Sequence, residues 1–155
     1  MKKKIALGVG IGVVAVAIAA VVFCVLGAGR FALESEYYGE NGYETIDVQQ
    51  LQDLIAEKKS FALLISKPAC TASTDFEKIV TEFSEKYQIG FEKIDFVEVR
   101  DAKLIEGLKY NPSMALYHEG KLVTFLSADE DNDLEAYQSE AGFAKWWRKY
   151  VKVQK

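Results

Sequence analysis

Phe61-Ala62-Leu63-Leu64-Ile65-Ser66-Lys67-Pro68-Ala69-Cys70-Thr71-Ala72-Ser73 is the stretch that decides how this chain folds. Its first five residues form a continuous apolar run, the pattern of a strand buried on both faces. From about Cys70 to Tyr87, Phe76, Ile79, Val80, Phe83 and Tyr87 fall on one helical stripe, with Glu77, Lys78, Glu82 and Lys86 opposite. A buried strand therefore gives way to an amphipathic helix at a cysteine.

On the N-terminal side, Asp47 suits the N-cap of a helix reaching about Lys58, with Val48, Leu51, Leu54 and Ile55 on one face. On the other side, a strand is expected around Phe91 to Val97 and a short helix from about Asp101 to Leu108. Strand, helix and strand make a βαβ unit, which implies parallel pairing and a right-handed crossover. Ser113 to His118 and Lys121 to Leu126 are separated only by Glu119-Gly120, the spacing of a tight hairpin, so the sheet ends antiparallel. After a polar stretch from Ser127, a last helix of about Glu140 to Val151 carries Phe143, Trp146, Trp147 and Tyr150. One tryptophan of that pair is expected on the sheet and the other partly exposed.

The N-terminus has a different character. Residues 5 to 29 contain no charge and are rich in Val, Ala, Ile and Gly. At about 1.5 Å per helical residue they exceed the roughly 30 Å of bilayer hydrocarbon, so they read as a transmembrane helix. Lys2, Lys3 and Lys4 precede it, while Arg30 alone faces Glu34, Glu36 and Glu40 beyond it. This bias keeps the short N-terminus in the cytoplasm and places the rest outside the cell membrane. A cleaved signal peptide fits less well, because the apolar run is too long and Leu26-Gly27-Ala28 is a poor cleavage match. Cys24 follows Phe23, where a lipoprotein acceptor needs a small residue, and reads as apolar filler. Gly8 with Gly12, echoed by Ala15 with Ala19, would let two such helices approach closely and form a homodimer. Residues 31–42 show little periodicity and read as a tether, with folding beginning near Tyr43. The expected organisation is 1–30 cytoplasmic tip and anchor, 31–42 tether, and 43–155 a single α/β domain.

The 155-residue chain has net charge −4. Its first thirty residues hold four basic and no acidic side chains, so the remainder carries 15 basic against 23 acidic, about −8. An acidic external domain is a poor nucleic-acid binder. With Cys24 in the apolar segment and Cys70 in the domain, an internal structural disulfide is not expected, and Cys70 reads as free or joined to a partner.

The element order, the cysteine opening the second helix, and Asn111-Pro112-Ser113 before the hairpin together resemble the thioredoxin family. The resemblance spans about residues 43–153 and implies a mixed central sheet flanked by helices. It further implies a cis Pro112 packed beside Cys70, with neighbouring backbone free to pair with an extended peptide. The departures are specific. Ser73 stands where the family has its second cysteine, and Thr71-Ala72 replaces Gly-Pro. Leu64 replaces a buried aspartate, and Ala69 replaces a tryptophan.

A dithiol cycle cannot run with Ser73, because a hydroxyl cannot form the resolving disulfide. A single thiol at a helix N-terminus is still favoured as thiolate by unpaired backbone N–H groups and the helix dipole. Ser73, one turn on, is placed to donate its hydroxyl to the Cys70 sulfur. The site residues are therefore Cys70, Ser73 and Pro112. Two functions follow: monothiol disulfide exchange on exported or envelope proteins, or a binding module that has lost turnover but keeps the peptide cleft.

The remaining polar features read blandly. His118 sits at the hairpin tip as a solvated turn residue, and one histidine with one free cysteine makes no metal site. Asp129, Asp131, Asp133 and Glu140 imitate calcium-loop spacing, but Leu134 occupies the position that needs glycine, so this is a solvated insertion. No cofactor is implied.

Overall fold

The strands are β1 (Tyr43–Thr45), β2 (Phe61–Ser66), β3 (Phe91–Asp95), β4 (Ser113–His118) and β5 (Lys121–Phe125). The helices are α1 (Val48–Ala56), α2 (Thr71–Tyr87), α3 (Phe96–Asp101) and α4 (Glu140–Trp147). In this computed structural model, which describes residues 29–153, the strands form one sheet ordered β1-β3-β2-β4-β5. β1, β3 and β2 run parallel, while β4 and β5 are antiparallel additions. The central strand β2 is completely enclosed: Phe61 through Ile65 are all 0% exposed. The apolar run of the sequence therefore maps onto the most buried strand.

α1 starts as expected at Asp47, whose carboxylate accepts from the Gln50 N–H while the Gln50 side chain accepts from the Asp47 N–H. This reciprocal pair satisfies two donors that the first turn leaves free. α2 and α4 pack through an aromatic cluster of Phe76, Phe83, Phe91, Phe143 and Trp147. At Gly142 a Cβ would lie 2.0 Å from the Glu135 carbonyl, so α4 can only sit this close to the turn Leu134–Tyr137 with glycine there. At the hairpin, Glu119 and Gly120 both have positive φ, and a Gly120 Cβ would meet the Ile55 carbonyl at 2.3 Å.

Several expectations are corrected. The stretch 31–42 is not a free tether, because Phe31, Leu33 and Tyr37 are buried in the core. Phe31 forms a parallel bridge with Val151 and Tyr38 an antiparallel one with Ile89. Isolated apolar residues among polar ones conceal this packing, since each contact is made to a distant segment and not to a periodic neighbour. β3 ends at Asp95, whose carboxylate accepts from the Val97 N–H, so the helix begins at Phe96 and not near Asp101. Lys103 and Gly107 then adopt positive φ in turns where a helix had been expected. Both tryptophans are buried, Trp146 at 3% and Trp147 at 0% exposure, because Trp146 packs against Phe143 and Tyr150 instead of facing water. α4 is shorter than expected, ending at Trp147.

Among the described residues no helix is long and apolar enough to cross a membrane. The expected membrane helix, with Lys2 to Lys4, the Gly8/Gly12 and Ala15/Ala19 pairs and Cys24, lies outside the described residues, which take in only its last position, Gly29.

Candidate functional site

β2 delivers the chain to the N-terminal end of α2, and Cys70 is the N-cap residue, extended at φ −106° and ψ 119°. Its carbonyl accepts from the Thr74 N–H and hydroxyl. Ala69, just before it, has φ 56°, a left-handed conformation that costs a non-glycine residue about 1 kcal/mol or more. This bend ends the strand direction and presents the partly exposed Cys70 at the surface.

Ser73 lies underneath, 1% exposed. Its hydroxyl oxygen accepts from the Lys67 N–H and the Asn111 side-chain amide, each at 3.1 Å. Both partners are donors, so the hydroxyl's own proton is left free for an acceptor. The Asn111 amide also reaches the Cys70 sulfur at 3.6 Å. The Cys70 thiol is accordingly held below its ordinary pKa, first by the Ser73 backbone N–H and then by the Ser73 hydroxyl. Partial burial opposes this, and the Ala72 N–H and Asn111 amide reinforce it. Each donor favours the thiolate because a hydrogen bond to the charged form stabilises that form.

The Asn111-Pro112 bond is cis, and Pro112 is buried. Cys70, Ser73 and the Asn111-Pro112 segment thus meet at one place, although they come from different elements. The expectation of free backbone beside Pro112 is modified, because the Pro112 carbonyl accepts from the Tyr137 hydroxyl at 2.9 Å. An incoming strand would share that acceptor with Tyr137. Asn111 was absent from the sequence-derived set. Its only signal was its place directly before Pro112, and its contact to sulfur arises from a separation of forty-one residues.

The other candidates stand apart. His118 is not fully solvated: its ring stacks on Phe31 at 4.7 Å, and its Nδ1 lies 3.1 Å from the Ser60 hydroxyl. Asp129 and Asp133 accept from the hydroxyl and N–H of Ser127, whereas Glu140 pairs with Lys86 at 2.7 Å. Glu140 is therefore held apart from the Asp129 and Asp133 carboxylates. Among the described residues no three His, Cys, Asp or Glu side chains converge as a metal set. Elsewhere, Glu92 is 8% exposed and accepts from the Tyr37 hydroxyl at 2.7 Å. Burial raises its carboxyl pKa, and the tyrosine bond partly offsets the rise.

No protein-family model matches the chain, and no curated protein does. Solved structures do match. A thioredoxin variant from Halobacterium salinarum aligns with 76% of this chain and 97% of its own, at 16% identity and a TM-score of 0.55. A thioredoxin from Nicotiana alata covers 73% of this chain and 96% of its own, at 17% identity and a TM-score of 0.54. Identities this low speak for the fold alone. The sheet order, the cysteine at the head of α2 and these matches agree on one conclusion: the chain has the thioredoxin-like α/β fold.

Proposed function

We propose that this chain is a membrane-tethered, extracytoplasmic thioredoxin-fold protein that exchanges disulfides through the single thiol of Cys70. The carrying observation is the geometry at the sulfur: the Asn111 amide reaches it at 3.6 Å and also donates to buried Ser73, which stands where the family resemblance puts a second thiol. This environment favours the nucleophilic thiolate and equally makes Cys70 a good leaving group.

In the proposed reaction the Cys70 thiolate attacks one sulfur of a disulfide R–S–S–R′ in an exported or envelope protein. The Cys70–S–S–R bond forms, the old S–S bond breaks, and R′–S⁻ leaves to take a proton from water. A small external thiol then attacks R, giving R–S–S–R″ and returning the Cys70 thiolate. Electrons balance because one disulfide is consumed and one is produced. Ser73 cannot do this second step itself, so the external thiol is obligatory.

The anchor is carried by the apolar, charge-free residues 5–29 with three lysines before them. A second reading, a binding module without turnover, draws on Leu64, which is fully buried where the family resemblance would put an aspartate able to move protons.

The test uses the full chain in lipid nanodiscs with Cys24→Ser, so that Cys70 is the only thiol. Alkylation of Cys70 against pH is expected to centre below the value of about 8.5 for a free thiol. Turnover of a disulfide-bonded peptide with glutathione should vanish in Cys70→Ala. An ordinary alkylation curve together with no Cys70-dependent turnover would replace exchange by the binding module.

A further inference from the structure

The last eleven residues, Lys145 to Lys155, hold five basic side chains and no acidic one, in a chain whose net charge is −4. The fold carries the described part of this segment, up to Val153, to the start of the domain. The Phe31 N–H donates to the Tyr150 carbonyl at 2.9 Å, and the Lys152 N–H donates back to the Phe31 carbonyl at 2.8 Å. The Tyr38 hydroxyl adds a bond to the Lys152 carbonyl at 3.0 Å. The basic end of the chain is thereby strapped beside Arg30, the residue that directly follows the apolar run.

An open cleft of about 560 Å³ lies elsewhere on α4, but the one at this root is larger, about 760 Å³. Arg30, Tyr38, Lys86, Tyr87, Arg148 and Val153 are among its walls. The Arg148 guanidinium lies 5.2 Å from the Tyr87 ring centroid and donates to its hydroxyl at 2.6 Å, which fixes the charge in place. Lys86 is matched by Glu140 and Lys145 by Glu135. Among the described residues Arg30, Arg148, Lys149 and Lys152 have no carboxylate partner.

We infer that this root is a docking surface for an anionic bilayer, with Arg30, Arg148 and Lys152 against lipid phosphates and the domain held flat on the membrane. The inference rests on the tether proposed above. Charge complementarity carries it, together with position: the apolar run ends at Gly29, so the basic surface begins where the chain would leave the bilayer. Tyr38 and Tyr87 are of the amphipathic type that suits the headgroup layer. Basic groups this close to the headgroups lie within a Debye length of the negative surface, where attraction is greatest and most sensitive to salt. A docked root also orients the Cys70 end of α2 relative to the membrane, selecting partners that approach at that height.

The test is hydrogen exchange on the full chain in nanodiscs of phosphatidylcholine, with and without about a third phosphatidylglycerol. Backbone amides from Lys149 to Val153 should be protected about tenfold or more in the anionic discs only, and 0.5 M NaCl should abolish the difference. Lys152→Gln, which leaves the Arg148 contact intact, should reduce it, and adding Arg30→Gln should reduce it further. Equal protection in both lipids, or no response to these substitutions, overturns the docking surface while leaving the tether standing. The same protection from inorganic phosphate in neutral discs overturns it in favour of a phosphate site. Failure of the chain to float with lipid overturns the tether, and the docking surface with it.

Discussion

Phe31→Ala tests whether the domain begins at Phe31 or at Tyr43. Phe31 is 6% exposed and stacked on His118 at 4.7 Å, and its backbone is bonded on both sides to the C-terminal segment. Truncating a buried phenylalanine costs about 3–5 kcal/mol, and a site at the margin of the core that can partly collapse lies at the lower end, near 3. With an unfolding entropy of about 2.1 cal/mol/K per residue over roughly 125 described residues, Tm falls by about 11 °C. The assay is thermal unfolding of the full chain in detergent micelles, followed by near-ultraviolet circular dichroism. Tyr110→Ala is the control, because Tyr110 is 52% exposed and its loss should shift Tm by less than about 2 °C. A Phe31→Ala shift no larger than the control's would refute the packing argument and restore residues 31–42 as a tether.

Asn111→Ala should move the alkylation curve of Cys70 to higher pH, since one donor to the thiolate is lost, and Asn111→Gln should recover part of the shift; an unchanged curve in both would remove Asn111 from the site. Glu92→Gln should raise Tm at pH 7 to 8 and leave it unchanged near pH 4. The carboxyl's folded pKa lies above its ordinary 4.5, so the folded state holds the extra proton, and stability is lost as pH rises through the raised value. An equal gain at both pH values would contradict that account. Tyr137→Phe removes the donor to the Pro112 carbonyl and should cost about 1 kcal/mol, or roughly 4 °C. The same change should speed mixed-disulfide formation between Cys70 and an extended peptide by exposing that acceptor; a slower reaction would count against strand pairing beside Pro112.

The sequence by itself determined what depends on local periodicity and short-range chemistry. The apolar run at Phe61 to Ile65 identified the central strand, Asp47 marked the head of α1, and the stripe from Phe76 to Tyr87 marked α2. These signals sit within a few residues of each other, so they are legible in a line of letters. The same holds for Cys70 at a helix start and for Ser73 one turn later.

Tertiary structure decided what depends on contacts between distant segments. It placed Phe31, Leu33 and Tyr37 in the core, buried both Trp146 and Trp147, and gave His118 a ring partner, none of which has a periodic signature. It also placed Asn111 on the Cys70 sulfur and Tyr137 on the Pro112 carbonyl. The thiol's environment is built from the helix start and the segment before β4. Its electrostatics therefore exist only once the sheet has brought those segments together.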